Sequence, residues 1–97
     1  MVSVTDLGRG YALAYVEGGL ELAITGSQAA LDAVDRSFEA EVPEGAKRAV
    51  LLATARAYGE LLASLCVGIA EPAGLEVSEL WARVRFAFEL GPAFGEP

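Results

Sequence analysis

Tyr11-Ala12-Leu13-Ala14-Tyr15-Val16-Glu17-Gly18-Gly19-Leu20-Glu21-Leu22-Ala23-Ile24-Thr25 reads as a β-hairpin. Gly18-Gly19 suits a two-residue turn, whose favoured form needs positive φ at both central positions. With that turn, Tyr15 lies across from Leu22, Leu13 from Ile24 and Tyr11 from Gly26. Tyr11, Leu13, Tyr15, Leu20, Leu22 and Ile24 then share one face, as a half-buried sheet requires. The residues before the hairpin close with Gly8-Arg9-Gly10, so positions 1–10 read as a flexible start.

Two helices are expected next. Ser27 is a suitable N-cap for an amphipathic helix over Gln28–Ala40, with Ala30, Leu31, Val34 and Phe38 inward. Val42-Pro43-Glu44-Gly45 separates it from a second helix over about residues 44–68, ending before Pro72. Val50, Leu51, Leu52, Tyr58, Leu61, Leu62 and Leu65 make that helix apolar over most of its circumference. Arg56, Glu60 and Ser64 form its polar strip, a pattern that belongs at the centre of a fold or of an interface.

From Trp81 onward the residues alternate: Val84, Phe86, Phe88 and Leu90 against Arg83, Arg85, Ala87 and Glu89. That predicts a third strand, with a helix capped by Ser78 as the alternative. Positions 91–97 read as a loose tail. The expected architecture is a single α+β domain over 1–97, in which a small antiparallel sheet carries two helices in the order β-β-α-α-β.

Composition narrows the partners. The chain has 97 residues, 54% of them hydrophobic and 22% charged, enough apolar material for one folded domain. Its net charge of -7 repels phosphates and acidic head groups, so neither nucleic acid nor a membrane is expected. The longest uncharged apolar run, Leu61–Ala70, falls short of the roughly 20 residues a membrane span needs. Arg56 and Glu60 interrupt any longer run, and Met1–Asp6 opens no secretory signal, so the cytoplasm is the expected location. Asparagine is absent and Gln28 is the single glutamine, a thermophile-like bias that a GC-rich genome also produces.

The side chains available for chemistry are few. With no histidine, Ser–His and Cys–His pairs are ruled out, and Lys47 is the only lysine. No enzyme activity, cofactor or metal is therefore expected. Asp35 and Glu39 share a helix face that reads as solvated, and Cys66, between Leu65 and Val67, reads as a buried thiol. Lys47 and Arg48 oppose the dipole at the start of the long helix, which suggests a small-anion site there. Trp81, Arg83 and Arg85 would project from one strand face as interface residues. Ala55, Gly59 and Ala63, small residues four apart, would admit another helix or a second copy.

The expected function is thus a non-catalytic oligomerising or protein-interaction domain. Self-association as a homodimer is favoured, since a domain this small has no disulfide to support it. Binding of a small anion or ligand at 44–48 is the alternative.

Overall fold

The computed structural model describes residues 2–90, and within them the chain is helical almost throughout. Helix α1 spans Val4–Thr25, α2 Ala29–Glu41, α3 Lys47–Ala73 and α4 Val77–Leu90, with a 3₁₀ turn at Glu44–Ala46 before α3. No strand forms among the described residues, which corrects the expected α+β sheet and its β-β-α-α-β order.

Helix α1 takes the place of both the hairpin and the flexible start. Ser3 caps it, its Oγ accepting from the Asp6 amide at 3.0 Å. The helix continues through Gly18-Gly19 and stops at Gly26, whose φ of 76° suits a glycine C-cap donating to the Leu22 carbonyl. Glycine permits positive φ without requiring it, and here it serves close packing instead. A Cβ on Gly8 would fall 2.5 Å from that of Ala53, and one on Gly18 would fall 2.8 Å from Leu31 Cδ2. The two buried glycines seat α3 and α2 against α1.

Helix α2 begins one residue inside the expected boundary, with the Ala29 amide donating to Ser27 Oγ at 3.2 Å. It runs antiparallel to α1. Gly18 meets Leu31, the Tyr15 hydroxyl donates to Asp35 Oδ1 at 2.6 Å, and Tyr11 meets Phe38 edge-on at 5.4 Å. Phe38, Val42 and Val50 form the buried core, with Leu7, Tyr11 and Ala46 packed around them. The densest packing thus sits at the corner between α2 and α3.

Helix α3 passes the expected stop near 68 and ends at Ala73. Pro72 forfeits one backbone bond in the last turn, where the loss is small, and Gly74 at φ 70° closes the helix onto the Ala70 and Glu71 carbonyls. Gly8 lies beside Ala53, and Ala12 shares a groove with Ala57 and Leu61, so α3 runs parallel to α1. The buried Thr54 hydroxyl donates to the Val50 carbonyl at 2.8 Å and leaves no unsatisfied polar group.

The predicted third strand is helix α4, the alternative reading. Arg83 pairs with Glu79 and Arg85 with Glu89, each at 3.2 Å and four residues apart, a spacing that supports a helix and not a strand. Among the described residues α4 lies against α3 alone, while α1 touches both α2 and α3. The expected loose tail, 91–97, lies outside the described residues.

Two tyrosines give the fold an alkaline limit. Burial, then the bond to Asp35, pushes the Tyr15 hydroxyl from its usual 10.0 up to about 12. Burial also raises Tyr58. The folded state therefore holds these protons more tightly than the unfolded chain. Their stabilisation is complete below pH 10 and is lost above it, in the case of Tyr15 as pH rises towards about 12. Thermal melts across that range should show Tm falling for the wild type and falling less steeply for Tyr15→Phe; parallel curves would remove Tyr15 as the cause.

Candidate interaction surface

The helices bury few large side chains. Among the described residues sixteen large hydrophobic side chains stand exposed, while eight apolar residues are buried, three of them alanines. Isolated exposed leucines are ordinary, but a continuous apolar patch on a small domain marks a binding surface. Here the exposed residues concentrate on α3 and α4. Leu51 is 53% exposed, Leu62 41%, Leu65 54% and Ile69 47%; on α4 Phe88 stands exposed on the same face as Trp81, and Phe86 and Leu90 on the other side.

The patch includes a groove of ≈ 530 Å³ between α3 and α4. Gly59, Leu62, Ala63 and Cys66 form its α3 wall, and Val77 and Trp81 its α4 wall. A groove of ≈ 610 Å³ lies on the other flank of α3, beside α1, and is lined by Leu13, Ala57 and Leu61 with Arg9 and Glu60. Thr5, Arg9, Arg56 and Glu60 line a smaller polar groove of ≈ 320 Å³ next to it. Ser64 with Glu60 lines the first of these grooves and Thr5 with Glu60 the second, and no hydrogen bond joins hydroxyl to carboxylate in either among the described residues.

The sequence-derived site residues separate into two groups. Lys47 ties the corner together: Nζ donates to the Glu39 and Val42 carbonyls at 3.1 and 2.8 Å and lies 3.8 and 3.7 Å from the Glu39 and Glu44 carboxylates. It also sits 5.6 Å from the centre of the Phe38 ring. These contacts satisfy carbonyls at the end of α2, where a cation is favoured by the helix dipole. Arg48, one residue on, is exposed. Asp35 is engaged by Tyr15 and Glu39 by Lys47, and among the described residues no three of His, Cys, Asp or Glu converge.

The second group lies on the patch. Gly59 and Ala63 line the α3–α4 groove, and Ala55 is exposed one turn before Gly59. Trp81 joins them at 45% exposure. Arg83 points about 200° away from Trp81, whereas Arg85, four residues on, shares its helix face; neither lines the groove, and they pair along α4 with Glu79 and Glu89. Sequence reasoning missed Leu62, Leu65, Ile69 and Val77 as surface residues. The signal was the wide apolar circumference of α3, which exceeds what its intrachain neighbours cover.

Glu44–Ala73 is also long and apolar enough, by length and composition, to cross a membrane. It extends the Leu61–Ala70 run in both directions and includes Arg56 and Glu60. Core helices of soluble proteins reach the same length and composition. The chain matches no family model, no curated protein and no solved structure.

Proposed function

We propose that this chain is a non-catalytic helical module that works by associating with copies of itself. Surface area carries the reading. A folded monomer of 10.1 kDa exposes about 5,300 Å² on the usual size scaling, and this chain exposes 7061 Å². Giving the eight residues outside 2–90 the exposure of unfolded chain still leaves about 900 Å² in excess. A standard interface removes about 800 Å² from each partner. The excess is about what one such interface would cover, and the exposed leucines and aromatics of α3 and α4 would supply apolar surface for it.

The absence of histidine supports a non-catalytic role, as does the lack, among the described residues, of a hydrogen bond between hydroxyl and carboxylate in the α1 grooves. A net charge of -7 argues against nucleic acid and acidic lipid as partners, and a cytoplasmic setting fits that balance. The alternative, an anion at residues 44–48, has less support, because the Lys47 ammonium is already engaged by two carbonyls.

Sedimentation equilibrium from the low-micromolar to the millimolar range tests the proposal. A mass above that of one chain, rising with concentration, is the expected result. A strict monomer throughout would end the reading.

A further inference from the structure

We infer that the second copy seats along one stripe of α3, antiparallel to it, through Leu51, Ala55, Tyr58, Leu62, Leu65 and Ile69. This inference rests on the self-association reading and adds the surface and the orientation. The six residues follow one another at alternating steps of four and three. That is the heptad spacing by which one helix receives the side chains of another along a shared seam. Ordinary packing of consecutive helices does not need it over five successive steps. Leu51, Leu62, Leu65 and Ile69 are between 41% and 54% exposed in the single chain and Ala55 is exposed, while Tyr58 at the middle of the stripe is partly buried. Leu62 also lines the α3–α4 groove, and a helix lying on the stripe would extend towards that groove and Trp81.

Charge sets the orientation. All the cations of α3, Lys47, Arg48 and Arg56, lie in its first half, and both its carboxylates, Glu60 and Glu71, lie beyond them. Antiparallel copies bring the Lys47–Arg48 end of one helix towards the Glu71 end of the other and oppose the helix dipoles, with Arg56 and Glu60 off the seam; parallel copies would stack like charge on like. The antiparallel register sets a small residue against a large one at Ala55. Ala55 lies across from Leu65 of the partner subunit, and Tyr58 across from Leu62 of the partner subunit. No charged residue falls within the stripe itself, so apolar contact closes it.

Sedimentation equilibrium on the full chain tests the seam, comparing wild type with Leu62→Glu/Leu65→Glu and with Leu13→Glu/Leu20→Glu, a pair exposed on α1. The expected masses are twice 10.1 kDa for the wild type and for the α1 variant, and 10.1 kDa for the seam variant with its helical circular dichroism retained. A monomeric wild type would overturn self-association and the seam together. A seam variant that stays dimeric would overturn the seam and leave self-association standing. Cross-linking gives a second test that does not depend on how well the glutamates are tolerated. In a Cys66→Ser background, Ala55→Cys/Leu65→Cys should oxidise to a covalent dimer while Ala55→Cys alone should not. A covalent dimer from Ala55→Cys alone, or none from the pair, overturns the antiparallel register. Flotation of the wild type with phosphatidylcholine vesicles in place of dimer would assign the stripe to lipid and overturn the proposal.

Discussion

Phe38→Ala is expected to remove about 3–5 kcal/mol of stability, the usual cost of truncating a well-buried phenylalanine. For a domain of this length that approaches the whole, since roughly 0.05–0.15 kcal/mol per residue is typical. The ring is 6% exposed and holds the centre of the only buried cluster among the described residues. Tyr11 meets it edge-on from α1, Val42 and Val50 pack against it from the corner and α3, and the Lys47 ammonium lies beside its face. Alanine leaves four neighbours around a void that three separate elements would have to close together. The effect should appear in urea denaturation as a large fall in midpoint at unchanged slope, or as loss of the cooperative transition. Phe88→Ala is the control. That side chain is 76% exposed and its loss should change stability by less than about 0.5 kcal/mol. A Phe38→Ala variant within about 1 kcal/mol of wild type would show that the corner cluster does not hold the fold.

What the sequence disclosed follows the same division between corner and surface. Helix α2 was legible because one stripe, Leu31, Val34 and Phe38, carries its inward side chains, and because Ser27 marks its start. The α3 helix was legible for its long apolar run, although Pro72 falsely suggested an early end. The C-terminal element misled for an informative reason. A strand gathers Val84, Phe86, Phe88 and Leu90 on one face, whereas a helix leaves Phe86 and Leu90 outside. The strand reading assumed that the single chain buries all its large residues. In the structure Phe86 is 65% exposed and Leu90 64%, so that assumption fails on α4. The same assumption hid Leu62, Leu65 and Ile69, which a one-chain view places in the core. Ala55, Gly59 and Ala63, expected as a place of close approach, are exposed in the single chain, and a Cβ on Gly59 would meet nothing within 4 Å.

Gly8→Ala is expected to destabilise the chain by about 1–3 kcal/mol, even though alanine is the better helix former by about 1 kcal/mol. The added methyl would fall 2.5 Å from Ala53 Cβ, 2.6 Å from the Ala53 carbonyl carbon and 2.9 Å from the Thr54 nitrogen. Two of these are backbone atoms, which no rotamer change can move. Helix α1 must therefore lift away from α3, loosening the buried Ala12 and Ala57 along the same contact. At Gly18 the closest atom is the end of the Leu31 side chain, at 2.8 Å, with its Cγ and backbone nitrogen at 3.2 Å, so Gly18→Ala should destabilise, but less than Gly8→Ala. Gly19 has nothing within 4 Å of its would-be methyl, and Gly19→Ala should stabilise by about 0.5–1 kcal/mol. A hairpin turn at Gly18-Gly19 predicts the opposite at Gly19: both positions would need positive φ, and alanine at either would destabilise. The order of the three variants in thermal melts thus tests the helix through residues 18 and 19 independently of any interface. Gly19→Ala melting below wild type would restore the turn, and with it the sheet.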